Sequence, residues 1–123
     1  LLVAPSSSMT VNPAVLPNIT YDPLRDVAPI GIVGLFPLLV VVPAANPART
    51  LAELIAAARA RPGEMAYSAA SSSFQIATEL FAAEAGLRLL HVPYRGSAPA
   101  VQALLTGEVA FTFGDVATVL PLV

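Results

Sequence analysis

The sequence predicts an α/β fold: an open, mostly parallel sheet flanked by helices. Three observations lead there. Short β-branched or aromatic runs alternate with stretches of helical periodicity, glycine or proline punctuates most junctions, and polar residues gather where a strand gives way to a helix. At 123 residues the chain can build one domain with a real core, and hardly two.

Residues 1–26 carry Pro, Asn, Asp and Ser in clusters ("APSSS", "VNPAV", "YDPLRD") and read as loop, with Leu1 to Val3 as the tail of a strand. Two apolar runs, 30–36 and 38–42, flank Pro37 and form one bent strand or two; "LLVVV" reads as a short, fully buried strand. "NPARTLAELIAAARARPGE" is the clearest helix. Thr50 and Glu53 have capping-box spacing, and Leu51, Leu54 and Ile55 form an apolar stripe. Arg59 and Arg61 suit its C-terminal dipole, and Pro62-Gly63 ends it.

"MAYSA" (65–69) is the next strand, followed by the helix "SSSFQIATELFAAEAG", closed by Gly86. "RLLHV" (88–92) is a strand, and Pro93 to Gly96 a turn. "SAPAVQALLTG" is then a helix with Ser97 as its N-cap and Gly107 as its terminator. "EVAFTFGD" is the last strand, after which Asp115 caps a helical turn in "VATVLP".

Composition removes several functions. The net charge is −2, and the six cations, all arginine, are scattered, which argues against a nucleic-acid surface. With no cysteine there is no disulfide framework or thiolate zinc site; one histidine among scattered carboxylates gives no metal site, and no cofactor is expected. Positions 27–48 lack charge, yet Pro29, Pro37, Pro43 and Pro47 break the stretch too often for a lipid-exposed helix. "LLVAPSSS" has no basic start and does not read as a secretory leader.

Ser68 and Ser71 to Ser73, Arg95 to Ser97, and Gly114 with Asp115 each fall at a strand-to-helix junction. In open α/β sheets such carboxyl ends share an edge where ligands bind, and helix N-termini offer free N–H groups to an anion. The serines lack the Gly-x-Ser-x-Gly elbow of a nucleophile and read as helix caps, ligand donors or both. His91 reads as a half-buried structural residue, since catalysis would need a second proton-handling group. Arg95 is either a bidentate carboxylate partner or a solvated loop arginine. Asp115 caps the last helix or meets a ligand hydroxyl or amine. Tyr94 lines the pocket, or packs its ring under the turn with its hydroxyl in water. Tyr67 belongs to the core, and Glu79 to a solvated or tertiary-paired face.

The segments "YDPLRDVAPIGIV", "PLLVVVPAANPARTLAELIAAARARPGEMAYS", "ATELFAAEAG", "HVPYRGSAPAVQALLTGEVAFTF" and "LP" follow in an order and spacing that resemble Bug-type (TctC-like) receptors, the extracytoplasmic solute-binding components of tripartite tricarboxylate transporters. The resemblance implies a non-enzymatic, periplasmic, two-lobed receptor (type II-like Venus flytrap) for small carboxylates, whose partners are the transporter's membrane components. It implies that residues 1–35 match the end of the first-lobe portion and 36–123 the second lobe, so that the chain corresponds to a middle portion lacking the first-lobe ligand loop and the returning C-terminal segment. One departure stands out. Where family members often carry Ser-x-Gly-x-Gly-Ser ahead of a histidine, this chain has "YSAASSSFQIA", with Gln75 at the histidine position. The expected site follows from residues and resemblance together. Ser71, Ser72 and Ser73 hold a carboxylate, Tyr94, Arg95, Gly96, Ser97 and Ala98 form the adjoining wall, and Asp115 lies on the hinge side. The alternative is a self-associating or sensory interaction domain, a homodimer, that has lost tight ligand binding.

Overall fold

The apolar runs and helical stripes resolve, in a computed structural model that describes residues 1–122, into one four-stranded sheet with helices packed on it. The chain divides into two units, Leu1–Leu35 and a second beginning at Phe36. The sheet belongs to the second unit. Its strands are β1 (Leu38–Val41), β2 (Ala66–Ala69), β3 (Leu90–Pro93) and β4 (Phe111–Asp115), in the order β1-β4-β2-β3. β2 pairs parallel with both β3 and β4, while β1 runs antiparallel to β4. The mostly parallel, open sheet expected from the alternation of elements is the one observed.

In the first unit a π-helical turn (Ser7–Val11) runs into the short helix α1 (Asn12–Val15), with Pro13 in its first turn where a missing N–H costs nothing. Local polar groups hold the rest: Asp22 Oδ1 accepts from Leu24 N–H at 2.9 Å, and Asp26 Oδ2 from Asp22 N–H at 2.7 Å. Two expectations need correction here. Residues 1–26 are not all loop, and Leu1 to Val3 form no strand. Residues 30–36 form no strand either; nothing among the described residues pairs with that backbone, and Ile30 and Leu35 stay 87% and 90% exposed.

β1 is also not fully buried. It lies at the sheet edge, so Leu39 and Val40 remain 40% and 37% exposed. Apolar composition alone cannot distinguish an edge strand from a central one.

The helices are α2 (Leu51–Ala60), α3 (Ser72–Ala85), α4 (Ser97–Leu105) and the single turn α5 (Val116–Val119). Their ends follow local chemistry. Thr50 caps α2, its hydroxyl accepting from Glu53 N–H at 3.2 Å, while the Glu53 carboxylate reaches back one residue further, to Arg49 N–H. Arg59 serves another helix, donating at 2.6 and 3.2 Å to the Ala85 carbonyl at the end of α3. Gly86 takes the left-handed conformation (φ 64°), and Leu87 N–H returns to the Ala82 carbonyl at 2.8 Å, closing α3 as a Schellman turn. Ser97 does not cap α4. The cap position is Gly96 (φ 102°), with no side-chain bond, and Ser97 is the first helical residue. The backbone turns sharply through a conformation open to glycine, which moves the helix start one residue back.

Alternation along β2 directs Tyr67 and Ala69 to one face, against Leu54 of α2 and Phe74 of α3. Ala66 and Ser68 face α4. β2 therefore carries helices on both faces, and Tyr67 is fully buried, stacked on Phe111 with ring centroids 5.8 Å apart. Among the described residues no helix is long and apolar enough to cross a membrane.

Candidate functional site

Because β2, β3 and β4 run parallel, all three finish on one edge of the sheet. Ala69 stands opposite Pro93, and Tyr94 N–H donates to the Ala69 carbonyl at 3.3 Å, so the chain leaves β2 and β3 side by side. α3, α4 and α5 all start from this edge. The triple serine, the turn at 94–97 and Asp115 therefore share it.

Ser71 is the N-cap of α3, extended (φ −157°, ψ 166°), its hydroxyl accepting from Phe74 N–H at 3.4 Å. Ser72 and Ser73 open the helix, and the enclosed Ser73 Oγ has no hydrogen-bond partner. In α4 the third residue is Pro99, so the first turn offers the N–H groups of Ser97 and Ala98 only. Asp115 caps α5. Its Oδ1 accepts from Thr118 N–H at 2.9 Å, and the Thr118 hydroxyl lies 3.0 Å from each carboxylate oxygen.

Between α3, α4 and β4 a shallow cleft of about 10 Å³ opens to solvent, its walls including Phe74, Ser97, Val101, Phe113 and Asp115. Hydroxyls tie its floor together. Ser68 Oγ donates to the Ala100 carbonyl of α4 at 3.1 Å, and Thr112 Oγ1 on β4 donates to the Ser68 carbonyl at 2.9 Å, all of it buried. Ser68 thus serves the fold, not the rim.

The structure gathers the expected residues unevenly. Ser97 and Asp115 line the same cleft. Ser71, Ser72 and Ser73 flank it, between the lining residues Ala70 and Phe74. Arg95, Gly96 and Ala98 stay exposed at the edge, and Arg95 has no ion-pair partner among the described residues. Tyr94 turns into the apolar cluster of Ala103, Leu104 and Val109 under α4. Its hydroxyl is enclosed there and does not reach water; no well-formed hydrogen bond is present, although Glu108 is near enough as an acceptor to raise the tyrosine's pKa.

His91 sits half-buried beside Tyr67 (centroids 5.1 Å apart), with Nε2 enclosed and unpartnered. Tyr67 donates to the Glu79 carboxylate, and burial, then that bond, push its pKa up. The apolar wall of Phe74, Val101 and Phe113 was not singled out from sequence. Val101 lies one turn after Ser97 on the same helix face, a spacing that would have marked it.

All 123 residues match the family model described as the tripartite tricarboxylate transporter family receptor, TctC. Protein BugT of Bordetella pertussis is 38% identical over 122 residues, which is 98% of this chain and 37% of that protein. A UPF0065 protein from the tcbD-tcbE intergenic region of Pseudomonas sp. strain P51 is 39% identical over 106 residues, 85% of this chain and 32% of its own length. Among solved structures, R. palustris Rpa4515 with adipate superposes with a TM-score of 0.81 at 34% identity, over 86% of this chain and 36% of that one. A structure described as a periplasmic transporter gives 0.83 at 30% identity, over 96% and 40%. The chain spans about a third of the length of the curated relatives it matches. The four-stranded α/β architecture, the "HVPYRGSAPAVQALLTGEVAFTF" segment and the match over all 123 residues of this chain agree, and the chain belongs to the family of tripartite tricarboxylate transporter receptors.

Proposed function

We propose that this chain supplies one half of the solute site of a periplasmic receptor that binds small carboxylates without reacting with them. One observation carries the reading: α3 and α4 both begin on the edge where β2 and β3 end, on either side of a cleft. The positive ends of two helix dipoles suit a carboxylate oxygen there. Ser71, Ser72, Ser73, Ser97 and Ala98 are the proposed donors, with Arg95 and Gly96 on the rim and Asp115 on the opposite wall. The relative that holds adipate supports a carboxylate as the ligand class. The family's description supports membrane components of a tripartite transporter as the partners. In this reading residues 1–35 are the end of the first-lobe portion, and residues 36–123 the second lobe.

A cleft of about 10 Å³ is far smaller than the roughly 300–1,000 Å³ of complete small-molecule sites, so this half alone leaves a ligand largely hydrated. Calorimetry or chemical-shift titration of the chain with adipate, citrate and benzoate should give dissociation constants weaker than about 10 μM. Nanomolar binding would contradict the half-site reading, and perturbations confined to the opposite edge of the sheet would contradict the site.

The exposure of Leu24, Ile30, Ile32, Val33, Leu35 and Phe36 favours a second reading, in which copies of the chain associate through these apolar side chains.

A further inference from the structure

A roomier opening lies at the other end of the sheet, where β2 and β4 begin. It is a cleft of about 270 Å³, lined by Ala57 and Arg61 at the end of α2, Glu64 and Met65 ahead of β2, and Gly107 and Glu108 ahead of β4. Its volume approaches the roughly 300 Å³ at which small-molecule sites begin. Backbone geometry brings its charges together. Arg61-Pro62-Gly63-Glu64 is a tight turn: Glu64 N–H donates to the Arg61 carbonyl at 3.2 Å and Gly63 takes φ 82°, so the Arg61 and Glu64 Cα atoms stand within about 7 Å. Ala110 N–H donates to the Ala66 carbonyl at 2.9 Å, so Glu108 and Glu64 each lie two residues ahead of one bonded pair, on segments leading into neighbouring parallel strands. Among the described residues Arg61, Glu64 and Glu108 nevertheless form no ion pair, with one another or elsewhere.

A second observation comes from beneath the cleft. The Tyr94 hydroxyl is enclosed without a well-formed hydrogen bond, and Glu108 is the acceptor beside it. A hydroxyl shut away from water needs a partner, so it favours a Glu108 carboxylate drawn in over the cleft. We propose that this cleft binds a small amino acid, with its ammonium between Glu64 and Glu108, its carboxylate on Arg61 and its apolar side chain along Ala57 and Met65. The two charged groups of an α-amino acid are joined through a single carbon, so both fit the charges of one tight turn. The guanidinium supplies donors only and the glutamates acceptors only, which fixes the direction in which the solute lies. This site is separate from the strand-end edge and independent of the carboxylate reading there. Exposed charges each add little in water, so the dissociation constant should be millimolar, about 0.3–5 mM.

Three solutes with one side chain isolate the two charges: leucine, leucine methyl ester and N-acetyl-leucine, titrated into the chain and followed by amide chemical shifts. Leucine should bind at least about fivefold more tightly than either derivative, with shifts gathered at residues 61–66 and 107–110. Arg61→Gln should bring leucine and its methyl ester within about twofold of each other. Glu64→Gln with Glu108→Gln should do the same for leucine and N-acetyl-leucine. Equal affinities for all three solutes in the parent chain overturn the amino-acid assignment, and discrimination that survives both sets of substitutions removes these charges from the site. Leucine shifts confined to the strand-end edge, or none at about 20 mM, overturn the site itself. None of these results bears on the carboxylate reading, which adipate, citrate and benzoate test separately.

Discussion

Gly114 shows how one residue type serves two purposes that look alike in sequence. Its place at a strand-to-helix junction suggests a backbone kept bare for a ligand. In the structure a Cβ there would sit 2.6 Å from Val119 Cγ2 and 3.9 Å from Val41 Cγ2, so its smallness lets α5 fold back onto β4. Gly114→Ala should therefore destabilise the chain by about 1–3 kcal/mol in chemical denaturation. Adding Val119→Ala should cost less than the two single changes summed, because the methyls compete for one space. Additivity would show that the clash is relieved elsewhere. Asp115, the next residue, was legible as a cap because the side chain that marks a helix start also forms the bond. What it faces across the cleft was not, since that depends on Phe74 and Val101, far away in the chain.

At the level of elements, helix ends were far easier to read than strand limits. Thr50, Ser71 and Gly86 act on groups within four or five residues, so short-range sequence contains the information. Strands take their limits from partners. β3 begins at Leu90 and not at 88 because its register starts opposite Ala66, while the Arg88 carbonyl is occupied by Gly63 N–H at 2.8 Å in the turn after α2. The run 30–36 has strand composition and no sheet to join among the described residues, and the sequence held no sign of that.

The central strand also makes a testable pH signature. Tyr67 has its pKa raised by burial, then by its bond to Glu79, so folding favours the protonated phenol. Its stabilising contribution is complete below about pH 10, the unfolded value, and declines as pH rises beyond it. Tyr67→Phe should flatten that alkaline decline in a series of denaturation curves. An unchanged slope would assign the decline to other groups, Tyr94 included, whose pKa is raised in the same direction by Glu108.

For the whole molecule, the sheet's connectivity made the shared edge of strand ends and helix starts legible in the sequence: parallel strands joined by helices must end together. The apolar load of residues 24–36 was legible as composition but not as exposure. Six large side chains stand largely open to solvent there. Burying each contributes about 1.5–3 kcal/mol, so covering them between two copies favours association. Sedimentation should show mass rising with concentration, and Ile32→Glu with Leu35→Glu should return the chain to a monomer. A monomer at all concentrations would remove the self-associating reading and leave the receptor reading untouched.

The Ser68–Thr112–Ala100 chain of hydroxyl bonds has a mechanical consequence. It rivets the start of α4 to β2 and β2 to β4 through groups shielded from water, so the ledge beneath the cleft has no joint of its own. If the proposed solute site lies here, its floor is closer to an anvil than to a clasp.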